Sequence, residues 1–157
     1  MANKKFWLGM LVLVLVFGMT VVGCDNGSTS GNSGNGGIFT LTDIPAAYNG
    51  KYASFLGESE SSDDFIIGCQ RVNMSTETFT LSQISNGRVN IPLWTETSTG
   101  SISKYSGNGT FVEAIVEIWD TATISWEGEP IAEIYFPSIT FSNGSATKSA
   151  NDGEIDY

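Results

Sequence analysis

The stretch that decides the fold is TFVEAIVEIW, residues 110–119. Its even-numbered residues from Val112 to Ile118 are all apolar, whereas its odd-numbered residues from Phe111 to Trp119 mix apolar and acidic side chains. Successive side chains of a β-strand point to opposite faces of the sheet, so a period of two indicates a strand with one core face. The pattern predicts a strand over residues 110–119 whose second face is mixed.

Similar β-prone runs occur along the chain on both sides of this stretch, and no segment carries a convincing helical period. They cover residues 38–42, 51–56, 64–71, 78–84, 89–94, 102–105, 121–126 and 131–141. Short strands separated by turns about every ten residues are typical of β-sandwiches and small barrels. We therefore predict an all-β fold, an antiparallel β-sandwich of the Ig-like or prealbumin-like kind, with a small β-barrel as the alternative.

Three Asn-Gly pairs mark the turns between these runs: Asn49-Gly50, Asn86-Gly87 and Asn143-Gly144. Asn and Gly tolerate the positive φ angles that a two-residue type I′ hairpin turn requires. The sequence predicts a type I′ turn at each pair. Residues 106–109, SGNG, predict a fourth and longer connection.

In two of the predicted strands, the alternation of apolar and polar residues shifts by one position. A hairpin at Asn86-Gly87 pairs Ile84 with Val89, but farther out it sets polar residues against apolar ones, which predicts a bulge near Gln83 or a strand over 78–81 that pairs elsewhere. The second slip is at Pro137, where the apolar residues change from even to odd positions. A bulge or a sheet edge suits a proline there.

Residues 1–24 combine a short positive segment, an uncharged stretch and a cysteine. Lys4 and Lys5 precede 17 uncharged residues, 6–22, which are at the lower limit for crossing a bilayer, where about 20 residues are needed. Residues 21–24 read VVGC and resemble a lipobox, in which the cysteine thiol takes a diacylglyceryl group and small Gly23 leaves room for cleavage. We expect residues 1–23 to be a signal peptide cut between Gly23 and Cys24. The alternative is an uncleaved membrane helix with an incidental cysteine.

The residues after Cys24 read DNGSTSGNSGNGG and offer almost nothing to bury. Such a tract does not offset the entropy of ordering, so we expect residues 24–37 to form a flexible tether and residues 38–157 a single β-sandwich domain. A single acyl chain binds membranes only marginally, so stable anchoring requires the two or three chains of a lipoprotein. The expected location is the cell envelope: the outer membrane, the cell surface or a periplasmic leaflet.

The charge of the mature chain is strongly negative. Five basic and 17 acidic residues follow position 23, which gives a net charge of −12. Phosphate would be repelled, so nucleic acid is excluded as a partner and anionic lipid head groups are unfavourable. With Cys24 lipidated, Cys69 has no partner for a disulfide within the chain, and we expect it to be a small buried hydrophobic residue rather than a reactive thiol.

Four segments of the sequence stand out together: FTLTDIPAAYNGKYA (39–53), ISNGRVNIPLW (84–94), FSNGSATK (141–148) and the GCDNG junction at 23–27. They are similar to segments of the paralogous lipoproteins of treponemal spirochaetes. The likeness covers most of the mature chain. It implies bacterial origin and export, and it implies no activity, because this family has no assigned catalytic residues.

The residue inventory argues against an enzyme. The chain has no histidine, which removes the usual general base of hydrolases and the commonest transition-metal ligand, and we expect no metal and no cofactor. The acidic residues Glu127 and Glu129, and the cluster of Glu58 with residues 60, 63 and 64, are interpreted as solvated loop charges. Calcium at that cluster is the weaker alternative, since the EF-hand spacing is absent.

Binding is the expected role, with a protein or a glycan as partner. Four aromatic residues are the candidate ligand-binding residues, because exposed rings stack against the CH groups of sugars: Trp119, Trp94, Trp126 and Tyr105. Trp119 is the first candidate since it lies on the face opposite Val112–Ile118. The competing interpretation is that these rings fill the core, where burial of large apolar surfaces is strongly stabilising. A purely structural envelope component is the third hypothesis.

Overall fold

A computed structural model describes residues 36–59, 65–96, 102–125 and 127–157 of the chain. Its strands are β1 (Ile38–Thr42), β2 (Tyr52–Ser59), β3 (Phe65–Gly68), β4 (Arg71–Asn73), β5 (Thr78–Thr80), β6 (Ser82–Gln83), β7 (Val89–Glu96), β8 (Ile102–Lys104), β9 (Gly109–Trp119), β10 (Thr123–Ser125), β11 (Ala132–Phe141), β12 (Ala146–Ser149) and β13 (Glu154–Asp156). Two 3₁₀ turns, Ala46–Tyr48 and Ala150–Asp152, are the only helical segments in these ranges, and both are far too short to span a bilayer. The all-β prediction is confirmed.

Ten of the strands form one continuous sheet in the order β12-β1-β7-β3-β2-β9-β11-β13, with β6 beside β2 and β8 beside β7. The sheet curls like half a barrel, and β4, β5 and β10 form a separate three-stranded sheet. Among the described strands, all pairs are antiparallel except β1 with β12, which run parallel. The predicted antiparallel arrangement holds at every described pair but this one, because β12 reaches β1 from the far end of the sequence instead of through a hairpin.

The main core lies on one face of the curled sheet. Its twenty buried residues come mainly from β9 and the strands on both sides of it, and they include four phenylalanines that are at most 2% exposed: Phe39, Phe55, Phe136 and Phe141. Their rings meet at tilted or edge-on angles, for example Phe39 with Phe55 at a centroid distance of 4.8 Å. Such geometry suits the ring quadrupoles, and each pair adds about 1 kcal/mol beyond the burial itself.

The strand that decided the fold contains a β-bulge. Leu56 pairs with Ile115 and Glu58 with Val112, so Glu113 and Ala114 of β9 together face Gly57 of β2. Glu113 has a φ of 50°, which is unusual for a residue with a side chain. The bulge shifts the alternation by one position. Phe111 therefore lies in the core with Ala114, Val116 and Ile118, and its predicted place on the mixed face is wrong.

The slip at Pro137 lies at the same level of the sheet. Ile134, Phe136, Ile139 and Phe141 are all buried, whereas Pro137 and Ser138 are exposed. Pro137 faces the bulged Glu113 between the pairs Phe136–Ala114 and Ser138–Val112, and β13 ends before reaching it. A proline has no N–H to donate, and it is tolerated there because β13 does not extend to this position and so no hydrogen bond to it is lost. The predicted bulge or edge position is confirmed.

The shift in alternation near Gln83 has the second of the two predicted causes, a strand near residues 78–81 that pairs elsewhere. Residues 78–80 form β5 in the three-stranded sheet, whereas Ser82 and Gln83 form β6 and pair with β2. The segment 78–84 is therefore two short strands in different sheets. Its two halves point apolar residues into different cores, which explains the broken alternation.

Two of the three Asn-Gly turns are as predicted. Asn86 and Gly87 have φ angles of 51° and 67°, and Asn143 and Gly144 have 50° and 73°, as a type I′ turn requires at both central positions. The prediction is wrong at Asn49-Gly50. Asn49 has φ −58° and ψ 132°, Gly50 has φ 84°, and Lys51 N donates to Tyr48 O, which is a type II turn. It follows a 3₁₀ turn, not a strand, so no hairpin twist selects type I′.

The folded domain begins before residue 38, its predicted first residue. Gly37 is buried, its N–H donates to Tyr105 O over 2.6 Å, and its carbonyl accepts from Leu93 N over 3.0 Å. A Cβ on Gly37 would lie 2.0 Å from Gly144 O, so only glycine allows this approach. The expectation that Gly37 belongs to a flexible tether is therefore wrong, whereas residues 1–35 lie outside the described residues.

Candidate functional site

A concave surface lies across the two arms of the Ser85–Arg88 hairpin. It is a groove of about 440 Å³, open to solvent along one side. Its floor is made by Leu81, Ser82 and Val89, which are all less than 8% exposed. Five exposed polar residues form its rim: Gln70, Gln83, Ser85, Arg88 and Asn90. A buried floor with a polar rim is the general form of a small-molecule site. We call it the Arg88 groove.

The hairpin that carries Arg88 is held in place on both sides. Ser85 N donates to Arg88 O over 2.9 Å, and Arg88 N donates to Ser85 O over 3.0 Å. At the tip, Gly87 N donates to Asn49 Oδ1 over 2.9 Å, and Gly87 O accepts from Ile44 N over 3.0 Å. The backbone beneath the guanidinium is thus fixed by the type I′ turn and by its neighbours.

Three amide side chains of the rim have one end engaged by the protein. Asn90 Oδ1 accepts from Thr40 Oγ1 over 2.9 Å, and Gln70 Oε1 accepts from Ser82 Oγ over 3.4 Å. Gln83 is engaged at its other end, with Nε2 donating to Gly50 O over 3.3 Å. The uncommitted ends are therefore the NH₂ groups of Asn90 and Gln70 and the carbonyl oxygen of Gln83.

Arg88 is the one charged residue among the described residues that line the groove. No aspartate or glutamate of this set lines it, and no carboxylate in the described ranges lies within ion-pair distance of the Arg88 guanidinium. The ion pair found in the same ranges joins Lys51 to Asp120, neither of which lines the groove. The groove was not predicted from the sequence, although the position of Arg88, one of few basic residues, directly after an Asn-Gly turn could have indicated a site.

Trp119, the first candidate for an exposed binding ring, is buried. It is 5% exposed and belongs to a second core cluster with Cys69, Phe79 and Leu81. The prediction that it faces solvent is wrong, because the three-stranded sheet covers the end of β9 and Ile124 of β10 packs against the same cluster. No local pattern in the sequence indicates that these three short strands pack there.

Trp94 and Tyr105, the other predicted rings within the described residues, pack against different core clusters. Trp94 is partly buried against the second cluster, and its Nε1 donates to Cys69 O over 2.8 Å. Tyr105 is partly buried against the main core, edge-on to Phe111 and Phe141 at 5.8 and 5.6 Å. Trp126 lies outside the described residues. These contacts favour the alternative in which the rings stabilise the fold.

Cys69 is 1% exposed, which confirms the expectation of a buried residue. Burial raises the pKa of its thiol to about 12, so it is protonated and a weak nucleophile at neutral pH. Glu127 and Glu129 are exposed, in agreement with their interpretation as solvated charges. Residues 60, 63 and 64 of the acidic cluster lie outside the described ranges, and no group of potential metal ligands occurs inside them.

A carboxylate network on the outer face of the sheet was also missed. Trp119 Nε1 donates to Ser54 Oγ over 2.9 Å, and Ser54 Oγ donates to Glu117 Oε2 over 2.8 Å. Glu133 is directly opposite Glu117 on β11. Burial, with a smaller contribution from Glu133, raises the pKa of Glu117 to about 7 although the Ser54 hydrogen bond opposes it. The strand register brings these groups together, and the register cannot be read from the sequence pattern.

Comparisons with protein-family models, with curated proteins and with solved structures found no match. What the groove binds is therefore inferred from its own geometry. The lipidation residues, Gly23 and Cys24, lie outside the described residues, and their assignment rests on the sequence.

Proposed function

We propose that the protein is a lipid-anchored lipoprotein of the bacterial cell envelope whose β-domain is a binding module. The observation that carries the binding role is the Arg88 groove, where an uncompensated guanidinium and three half-engaged amides surround a buried floor. The lipobox at residues 21–24 and the glycine-rich residues that follow it support the anchoring. We place the protein in the outer membrane, at the surface or on a periplasmic leaflet, with a protein or a glycan as partner.

Binding is preferred to catalysis. The chain contains no histidine, and the buried Cys69 thiol is protonated at neutral pH. A nucleophile without an adjacent base is weak. Turnover of any substrate in a broad hydrolase panel, lost on substitution in the groove, would overturn this part of the proposal.

Anchoring is tested by metabolic labelling with a palmitate analogue. The wild-type chain should be labelled, and Cys24→Ala should not be, because Cys24 is the acceptor of the acyl chains. Cys69→Ala is the matched control, since it removes the second of the two cysteines and should keep the label. Equal labelling of wild type and Cys24→Ala would refute the anchor.

A purely structural role is the competing hypothesis. A substitution in the Arg88 groove distinguishes a binding role from a structural one. Substitution of exposed Arg88 by glutamine leaves the cores untouched, so a structural component should behave as the wild type in every assay. A binding module should lose retention of envelope glycans or proteins while its unfolding midpoint stays unchanged.

A further inference from the structure

We propose that the Arg88 groove binds an acidic sugar, with the guanidinium holding the sugar carboxylate. This inference rests on the proposed binding role of the groove and names the class of its ligand. A guanidinium presents its N–H groups in a planar fork that matches the two oxygens of a carboxylate. Arg88 is exposed and has no carboxylate partner within the described residues, so its donors are accessible to a ligand.

The local charge is opposite in sign to that of the chain. The mature protein carries a net charge of −12, yet the described residues that line the groove include one cation and no acidic residue. An anion is repelled by most of this molecule, so a surface that accepts one must exclude carboxylates locally. The Arg88 groove meets that requirement.

The uncommitted amide groups define the rest of the ligand. Asn90 and Gln70 each offer an NH₂ group, because their oxygens already accept from Thr40 and Ser82. Gln83 offers its carbonyl oxygen, because its nitrogen donates to Gly50 O. With Arg88 included, donors outnumber acceptors, which suits a ligand with a carboxylate and several hydroxyl groups.

The size of the groove agrees with a sugar of one or two rings. Its volume of about 440 Å³ lies within the range of small-molecule sites, roughly 300–1,000 Å³. Ser85 adds a hydroxyl at the rim. A peptide with a free carboxylate is the competing ligand, and the peptide probe below distinguishes the two.

Titration calorimetry on the full lipidated chain in detergent tests this inference. The probes are digalacturonate, its dimethyl ester, neutral galactobiose, and a short peptide with a free C-terminus. We expect digalacturonate to bind, and the ester and galactobiose to bind at least about tenfold more weakly, because both lack the carboxylate charge.

Variants identify the site. Arg88→Gln should weaken digalacturonate binding by about tenfold or more, and Arg88→Lys should recover only part of it because lysine lacks the planar fork. Arg71→Gln is the matched control, since Arg71 is exposed on β4 and does not line the groove. The unfolding midpoint of each variant checks that the fold is intact.

The outcomes separate the two proposals. Equal binding of digalacturonate and its ester, or loss of binding in Arg71→Gln but not in Arg88→Gln, overturns the acidic-sugar inference. Binding of only galactobiose or the peptide, abolished by Arg88→Gln, also overturns it while the groove remains a binding site. Absence of binding to all four probes overturns the inference, and if Arg88→Gln also retains envelope partners as the wild type does, the binding role fails too.

Discussion

Glu117 shows how a single side chain on a regular strand acquires unusual chemistry. Its carboxylate is partly buried on the outer face of the sheet, with Ser54 as donor on one side and Glu133 opposite on the other. An acidic residue placed directly across from Glu117 disfavours the charge of its carboxylate. Desolvation is the larger cause of the raised pKa, and the like charge adds to it.

The raised pKa predicts a stability that falls as the pH rises. The folded state binds the Glu117 proton with a pKa of about 7, whereas the ordinary value is 4.5. The folded protein thus holds an extra proton at Glu117 between these values, so the contribution of Glu117 to stability is largest below pH 4.5 and is lost as the pH rises through about 7. Because Glu117 is partly exposed, we expect a loss of about 1–2 kcal/mol, at the lower part of the range that 1.36 kcal/mol per pKa unit allows.

Urea unfolding between pH 4 and pH 8.5 measures this loss. Glu117→Gln should remove this part of the pH dependence and be more stable than wild type at pH 8. Glu127→Gln, at an exposed position between β10 and β11, is the control and should follow the wild-type curve. Parallel pH curves for wild type and Glu117→Gln would contradict the assignment.

At the scale of single elements, the sequence predicts most strands but not their partners. The alternation from 110 to 119 and the Asn-Gly pairs are local signals, and they locate the strands and two of the three type I′ turns. The strands β4, β12 and β13 escape this prediction. Each has three or four residues with at most intermediate burial, so no run of apolar side chains marks them.

The candidate sites are less predictable for the same reason. The sequence pattern puts Trp119 on an open face because nothing in it shows that the three-stranded sheet covers this ring. The Arg88 groove combines Gln70, from between β3 and β4, with the hairpin between β6 and β7. Long-range packing determines both the burial of Trp119 and the assembly of the Arg88 groove, whereas sequence periodicity indicates only local structure.

Two turn glycines allow a matched test of the two ways in which an added side chain destabilises the fold, backbone strain and overpacking. Gly50 has a φ of 84° with no atom within 4 Å of where a Cβ would lie, whereas Gly144 has a φ of 73° and its Cβ would lie 2.8 Å from Ser106 Cα. Gly50→Ala should cost about 1 kcal/mol through backbone strain alone. Gly144→Ala should cost about 1–3 kcal/mol more, because overpacking adds to the strain.

Thermal and urea unfolding of the two alanine variants measures the difference. Gly107→Ala is a further comparison, since its φ is not in the left-handed region and the atoms nearest to its Cβ would all belong to the Tyr105 side chain. Equal destabilisation by Gly50→Ala and Gly144→Ala would show that the approach of Gly144 to Ser106 is not tight.

At the scale of the whole molecule, the two sheets differ in how well they are supported. The ten-stranded sheet has strands of up to 11 residues around the twenty-residue core. The three-stranded sheet has three residues in each strand, and its second cluster has four buried residues. Regions with few buried contacts open at lower free energy than the rest of a protein.

Hydrogen exchange should therefore separate the two sheets. Amides of β4, β5 and β10 should exchange faster than those of β2, β9 and β11 under native conditions, by about tenfold or more. Leu81→Ala should widen the difference, since Leu81 belongs to the second cluster, whereas Ile91→Ala should accelerate exchange in the large sheet. Uniform exchange rates throughout would mean that the two sheets open as one unit.

The parallel pairing of β1 with β12 has a consequence for the order of events in the life of the chain. Phe39 pairs with Ala146, 107 positions later in the sequence, so the first strand is not flanked on both sides until nearly the whole domain has emerged from the ribosome. Contacts this distant make folding slow. The proposed export of this chain through a channel in an extended state would gain from this delay, because premature folding would block its passage.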